Sequence, residues 1–165
     1  AEVAWIYCSL HRFDQSDSAL AQVLRLDPNY PQALYVLAQI RLEQKRYPEA
    51  IAAIRRALEL GGFFGQGAAL LLAGYARSGD RVRAAALLDS LTARAAHEYI
   101  PPYVFAIAYT NLGDFDRAFA FLDRGIKERD GLLPENFFEV ALDPLRGDPR
   151  YERVAGVIRG LRAED

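Results

Sequence analysis

The 165-residue chain contains no methionine, a single cysteine, a single tryptophan and only two histidines. One cysteine, Cys8, excludes an internal disulfide framework, and on an early helix it reads as a small packing residue rather than a nucleophile. His11 and His97 have no second histidine or cysteine at ligand spacing, so no metal motif is present. Long hydrophobic runs are missing too. The longest, Ala68 to Ala76, is about half the length of a membrane span and is interrupted by Gly74. The amino terminus has neither the basic flank nor the cleavage pattern of a signal peptide. A formal charge of −2 supplies no broad positive field, which excludes nucleic acid as the expected partner. Arg55, Arg56, Arg150, Arg153, Arg159 and Arg162 are read as solvated helix faces. With 52% hydrophobic and 25% charged residues, the composition is that of a folded domain and not of a disordered segment.

What is present is a period. Tyr7, Arg41, Tyr75 and Tyr109 stand 34 residues apart, and so do Ser16, Ala50, Ala84 and Ala118. The same spacing holds for Leu20, Ile54, Leu88 and Leu122, and for Val23, Ala57, Leu91 and Gly125. A further column, His11, Lys45, Gly79 and Gly113, marks the turn inside each unit. Small residues let two antiparallel helices approach closely, while the large ones beside them fill the grooves between neighbouring pairs. A single pair cannot bury its apolar face, so three or more must stack. Helices are expected at about 1–10, 16–26, 31–44, 47–60, 65–78, 81–95, 101–112 and 115–129. Asp27 with Pro28, and Gly61 with Gly62, stop two of them; Pro31 and Pro48 sit in first turns, where proline is tolerated. The expected fold is all-α: a right-handed superhelix of about four helical hairpins at 1–30, 31–64, 65–98 and 99–132. Residues 133–165 add a tail and a capping helix to the same domain. Asp148 is placed to cap that last helix with Pro149 at its first position, and Tyr151, Val154, Ala155, Ile158 and Leu161 form its apolar stripe.

Catalytic and cofactor chemistry find no footing. The stretch Gly61 to Gly67 is rich in glycine, but a helix precedes it and Ala68 and Ala69 follow where a phosphate loop needs lysine and a hydroxyl residue. The carboxylate pairs Asp14 and Asp17, Asp114 and Asp116, and Glu128 and Asp130 fall at helix ends, where capping accounts for them. No cofactor and no enzymatic activity are expected.

These columns resemble the tetratricopeptide repeat. Leu34, Leu37, Ala38, Ala50, Ile54 and Ala57 carry the likeness in the second unit, and Phe105, Ala106, Tyr109, Gly113, Ala118 and Leu122 in the fourth. The resemblance covers roughly residues 1–132. It departs from the pattern at Arg41 in place of Tyr, at Ser16 in place of Ala, and at Gly62, Ala96 and Asp130, where Pro closes a standard unit; Pro28 fills that place. The run from Asp143 to Tyr151, with the stretch Tyr99 to Tyr103, is similar to one group of bacterial modules of this family. Those modules end larger proteins such as kinases, adenylate cyclases and winged-helix regulators. Ala1 aligns with the fifth position of a repeat, so a piece or processed form of a longer chain is expected.

The resemblance implies a concave groove that binds another protein. Its lining would include Trp5, Tyr35, Gln39, Leu42, Gln66, Ala69, Ala73, Arg77, Tyr103, Ile107 and Asn111, an apolar and aromatic surface for a partner peptide or helix. The carboxylate clamp of some family members is not implied, because Ala1, Trp5, Val36, Gln66 and Leu70 stand at its positions. Two other readings compete. Tyr35 and Tyr103 could pack against adjacent units, or the tail residues Phe137, Phe138, Val140 and Leu142 could fold back over the groove. The expected function is a non-catalytic scaffold located in the cytoplasm. The alternative is a regulatory or self-association domain of a larger bacterial signalling protein.

Overall fold

The computed structural model describes residues 1–61, 64–138 and 140–163, and these are all helix and connecting turn. Eight helices form four consecutive pairs: α1 (Glu2–Ser9) with α2 (Phe13–Leu26), α3 (Pro31–Glu43) with α4 (Tyr47–Glu59), α5 (Phe64–Arg77) with α6 (Arg81–Ala95), and α7 (Pro102–Leu112) with α8 (Phe115–Glu128). The first helices stack side by side, α1 on α3, α3 on α5 and α5 on α7. A short α9 (Leu132–Asn136), a 3-10 helix (Val140–Gly147) and α10 (Arg150–Ala163) complete the chain. No helix among the described residues is long and apolar enough to cross a membrane.

The 34-residue columns have direct structural counterparts. His11, Lys45, Gly79 and Gly113 all adopt left-handed backbone, with φ of 56°, 58°, 89° and 80°. This one conformation reverses the chain within each pair, and only two of the four turns use the residue that tolerates it without cost. Ser16, Ala50, Ala84 and Ala118 are all buried where paired helices touch. The extra hydroxyl at Ser16 donates to the Ala4 carbonyl at 2.5 Å, which satisfies it inside the first hairpin. Helix α2 begins at Phe13 rather than at 16, because the Ser16 amide already bonds to the Arg12 carbonyl directly after the turn.

The departure at Arg41 is matched by a second one. Tyr75 and Tyr109 lie beneath the guanidinium groups of Arg83 and Arg117, at 5.4 and 5.2 Å from the ring centroids. One repeat earlier Arg41 takes the place of the ring and Glu49 that of the cation, and the contact becomes an ion pair at 3.5 Å. Arg41 also takes both carboxylate oxygens of Asp17, at 2.8 and 2.9 Å, tying α2 to α3.

Glycines of the 61–67 stretch serve packing. Gly61 closes α4 with φ of 81°, and a Cβ on Gly67 would lie 2.8 Å from a Leu58 methyl, so the fourth and fifth helices meet closely there. Gly62 and Phe63 lie outside the described residues, as does the Arg162 side chain. At the far end, α10 covers the last hairpin through Tyr151, Val154, Ala155 and Ile158, all buried, whereas Leu161 is exposed. The Asp148 carboxylate accepts the Arg150 amide at 2.9 Å, starting that helix.

Candidate functional site: the concave face and its tail

Glu43, Arg77 and Asn111 occupy one position in three successive repeats, and they bond to each other along the concave face. Arg77 Nη1 donates to Glu43 Oε1 at 2.6 Å and Arg77 Nε donates to Asn111 Oδ1 at 2.7 Å. The donors left over turn to a single strand of chain: Arg77 Nη2 reaches the Val140 carbonyl at 3.3 Å, and Asn111 Nδ2 the Ala141 carbonyl at 3.0 Å. The concave face thus holds consecutive main-chain carbonyls of the protein's own tail.

Apolar side chains follow the same path. Phe137, Ala141, Leu142 and Leu145 are buried in the cluster that contains Tyr35, Ala69, Ala73, Tyr103 and Ile107. Val140 instead joins the cluster of the first two hairpins, with Ala4, Cys8, Leu20, Ala33, Val36 and Ile40. Two polar anchors set the entry of the tail. Asp130, itself buried, accepts the Tyr103 amide at 2.9 Å and the Leu132 amide at 3.0 Å. These amides would otherwise be unsatisfied at the starts of α7 and α9. Tyr103 Oη donates to the Asn136 carbonyl at 3.0 Å.

Of the residues expected to line the groove, Tyr35, Gln39, Leu42, Ala69, Ala73, Tyr103 and Ile107 are buried, and Trp5, Gln66, Arg77 and Asn111 are partly exposed. Gln39 is 1% exposed, and its Nε2 has no hydrogen-bond partner among the described residues. Trp5, Tyr35 and Gln66 meet at a cleft of about 280 Å³ at the amino-terminal end of the concave face, together with Glu2 and Gln32. Its other wall is α9, through Leu132, Glu135 and Asn136. Sequence reasoning did not reach Glu2 or the α9 residues, because only the return of the tail brings them beside Trp5. Two carboxylates, two aromatic rings and three amides line the cleft, without a lysine or arginine.

Residues 4–63, the first two hairpins, match the family model described as Tetratricopeptide repeat. Those two hairpins are tetratricopeptide repeats by this match. Comparisons with curated proteins and with solved structures gave no match. Tetratricopeptide repeats generally mediate protein–protein interaction and are typically non-catalytic. The third and fourth hairpins, outside the matched stretch, continue its register down to the left-handed turn residues.

Proposed function

We propose that this array is a protein-binding module that receives a partner segment at the open, Trp5 end of its concave face. The observation that carries the reading is the uneven closure of that face. The tail buries its middle and far end, while the cleft between α1, α3, α5 and α9 remains open. Displacing the tail would re-expose Phe137, Leu142 and Leu145, each worth about 1.5–3 kcal/mol when fully buried. A partner gains more by using the cleft beside it. The lining favours an extended segment with a basic side chain, its aliphatic stem along Trp5 and Leu132 and its cation toward Glu2 and Glu135.

Photo-crosslinking in a lysate of the source organism tests this. A photoreactive residue at Gln66 should capture one defined protein, and capture should fall when Trp5→Ala or Glu135→Lys is added. The same probe at the convex position Arg55 should not capture that protein. Equal capture from both positions would move the binding surface away from the cleft. A second reading, a regulatory or self-association domain attached to a bacterial signalling protein, draws support from the likeness of the Asp143–Tyr151 run. It requires a stable oligomer in light scattering across a concentration series, whereas the first reading requires a monomer.

A further inference from the structure

His11, Glu43 and Asp143 come from three distant parts of the chain: the turn between α1 and α2, the last residue of α3, and the 3-10 helix of the tail. His11 Nε2 lies 3.4 Å from Asp143 Oδ2. One ligand atom from each of the three side chains falls within 4.8 Å of the other two. The two carboxylates are also oriented from outside the cluster. Arg77 holds Glu43 Oε1 at 2.6 Å, and Arg146 holds Asp143 Oδ1. His11 is exposed and the carboxylates are half-buried, so an ion could enter from solvent.

We propose that these three side chains bind a divalent transition-metal ion of the zinc type, with water completing its coordination. One imidazole and two carboxylates form a donor set that suits zinc. His11 Nε2 and Asp143 Oδ2, at 3.4 Å, already stand about as far apart as two ligands of one tetrahedral ion, and all three ligand atoms lie within 4.8 Å of one another, so side-chain rotation suffices to close the set. Arg77 and Arg146 then act as outer partners that keep the carboxylates turned inward. Their positive charges oppose the ion, so binding is weaker than at a structural cysteine site. The consequence is mechanical. Asp143 belongs to the tail, whereas His11 and Glu43 belong to the first two hairpins, so the ion fastens the tail across both. It does so close to Val140, where the tail enters the amino-terminal core.

The test is titration of the full chain with zinc chloride by calorimetry, and with cobalt(II) by visible absorption, followed by thermal unfolding with and without zinc. One saturable equivalent is expected, with a rise in Tm. His11→Gly removes the imidazole while supplying the residue found at the matching turns, Gly79 and Gly113, so the variant should fold. It should bind zinc at least about tenfold more weakly and lose the Tm rise. Asp143→Asn should do the same. His97→Ala should change neither reading. Failure of the native chain to bind zinc saturably, undiminished binding by His11→Gly, or loss of binding with His97→Ala would each overturn the site.

Discussion

Arg77 Nε lies 2.7 Å from Asn111 Oδ1, a bond between residues one full repeat apart, while Nη1 of the same guanidinium reaches Glu43 one repeat the other way. A single side chain therefore joins three hairpins and the tail. Arg77 and Glu43 are 17% and 20% exposed, enough burial for the loss of one partner to matter. Arg77→Met should destabilise the fold by about 2–4 kcal/mol in urea unfolding, since it strands the Glu43 carboxylate and the Val140 carbonyl. Adding Glu43→Gln should recover part of that loss. Strictly additive effects in the double-mutant cycle would contradict the linkage.

The turn column makes a prediction with two signs. Lys45 holds left-handed backbone that Gly79 and Gly113 adopt at the same place in later repeats. Lys45→Gly should stabilise the protein by up to about 1 kcal/mol, and Gly79→Ala should destabilise it by about 1–2 kcal/mol. No side chain lies near a Cβ placed on Gly79, so the cost there is one of backbone conformation alone. Chemical denaturation midpoints with unchanged slope would report both shifts.

Removal of residues 132–165 should expose the concave face. Tyr103, Ile107, Ala69 and Ala73 would lose Phe137, Leu142 and Leu145 as neighbours in the core. The truncated chain should bind an apolar fluorescent dye and associate in light scattering. A monomeric, dye-silent truncated chain with native helicity would mean that the tail contributes little to the fold.

Acid should loosen the far end. The Asp148 carboxyl is lowered from 3.8 to about 2, first by its side-chain bond to Arg150 and then by the Arg150 backbone amide. A folded-state value below the unfolded one stabilises the folded form above pH 4, and that contribution is lost as pH falls through about 2. Stability followed between pH 5 and pH 2 should therefore decline in part through Asp148, and Asp148→Asn should flatten that part of the profile. The exposed partner carboxylate Asp116, which bonds Arg150 Nη1 at 2.8 Å, offers a comparison variant on the same guanidinium.

The repeats were legible because each column reports the same local environment four times. A deviation in one unit could be read against the other three, and Arg41 with Glu49 shows the compensation taking place within a single repeat. The turn column was equally plain, although His11 and Lys45 disguise a backbone state usually signalled by glycine. The tail was not legible in that way. It occurs once, its 3-10 helix has no period to register, and its route is decided by Arg77 and Asn111, expected to face a partner and not the chain itself, and by Asp130, which reads in the sequence as a helix-end carboxylate. The cleft beside Trp5 and the meeting of His11 with Asp143 both depend on that route.

Val140 packs with Ala4, Cys8 and Leu20 at one end of the stack, while Tyr151 and Ile158 pack over the other. A linear repeat array ordinarily unfolds from its ends, because each unit touches only its neighbours. Here one strand of chain connects the first hairpin to the last, and fraying at either end strips contacts from both. The tail changes the cooperativity of the molecule: the array should melt as one body, in a single transition shared by probes in the first and fourth hairpins.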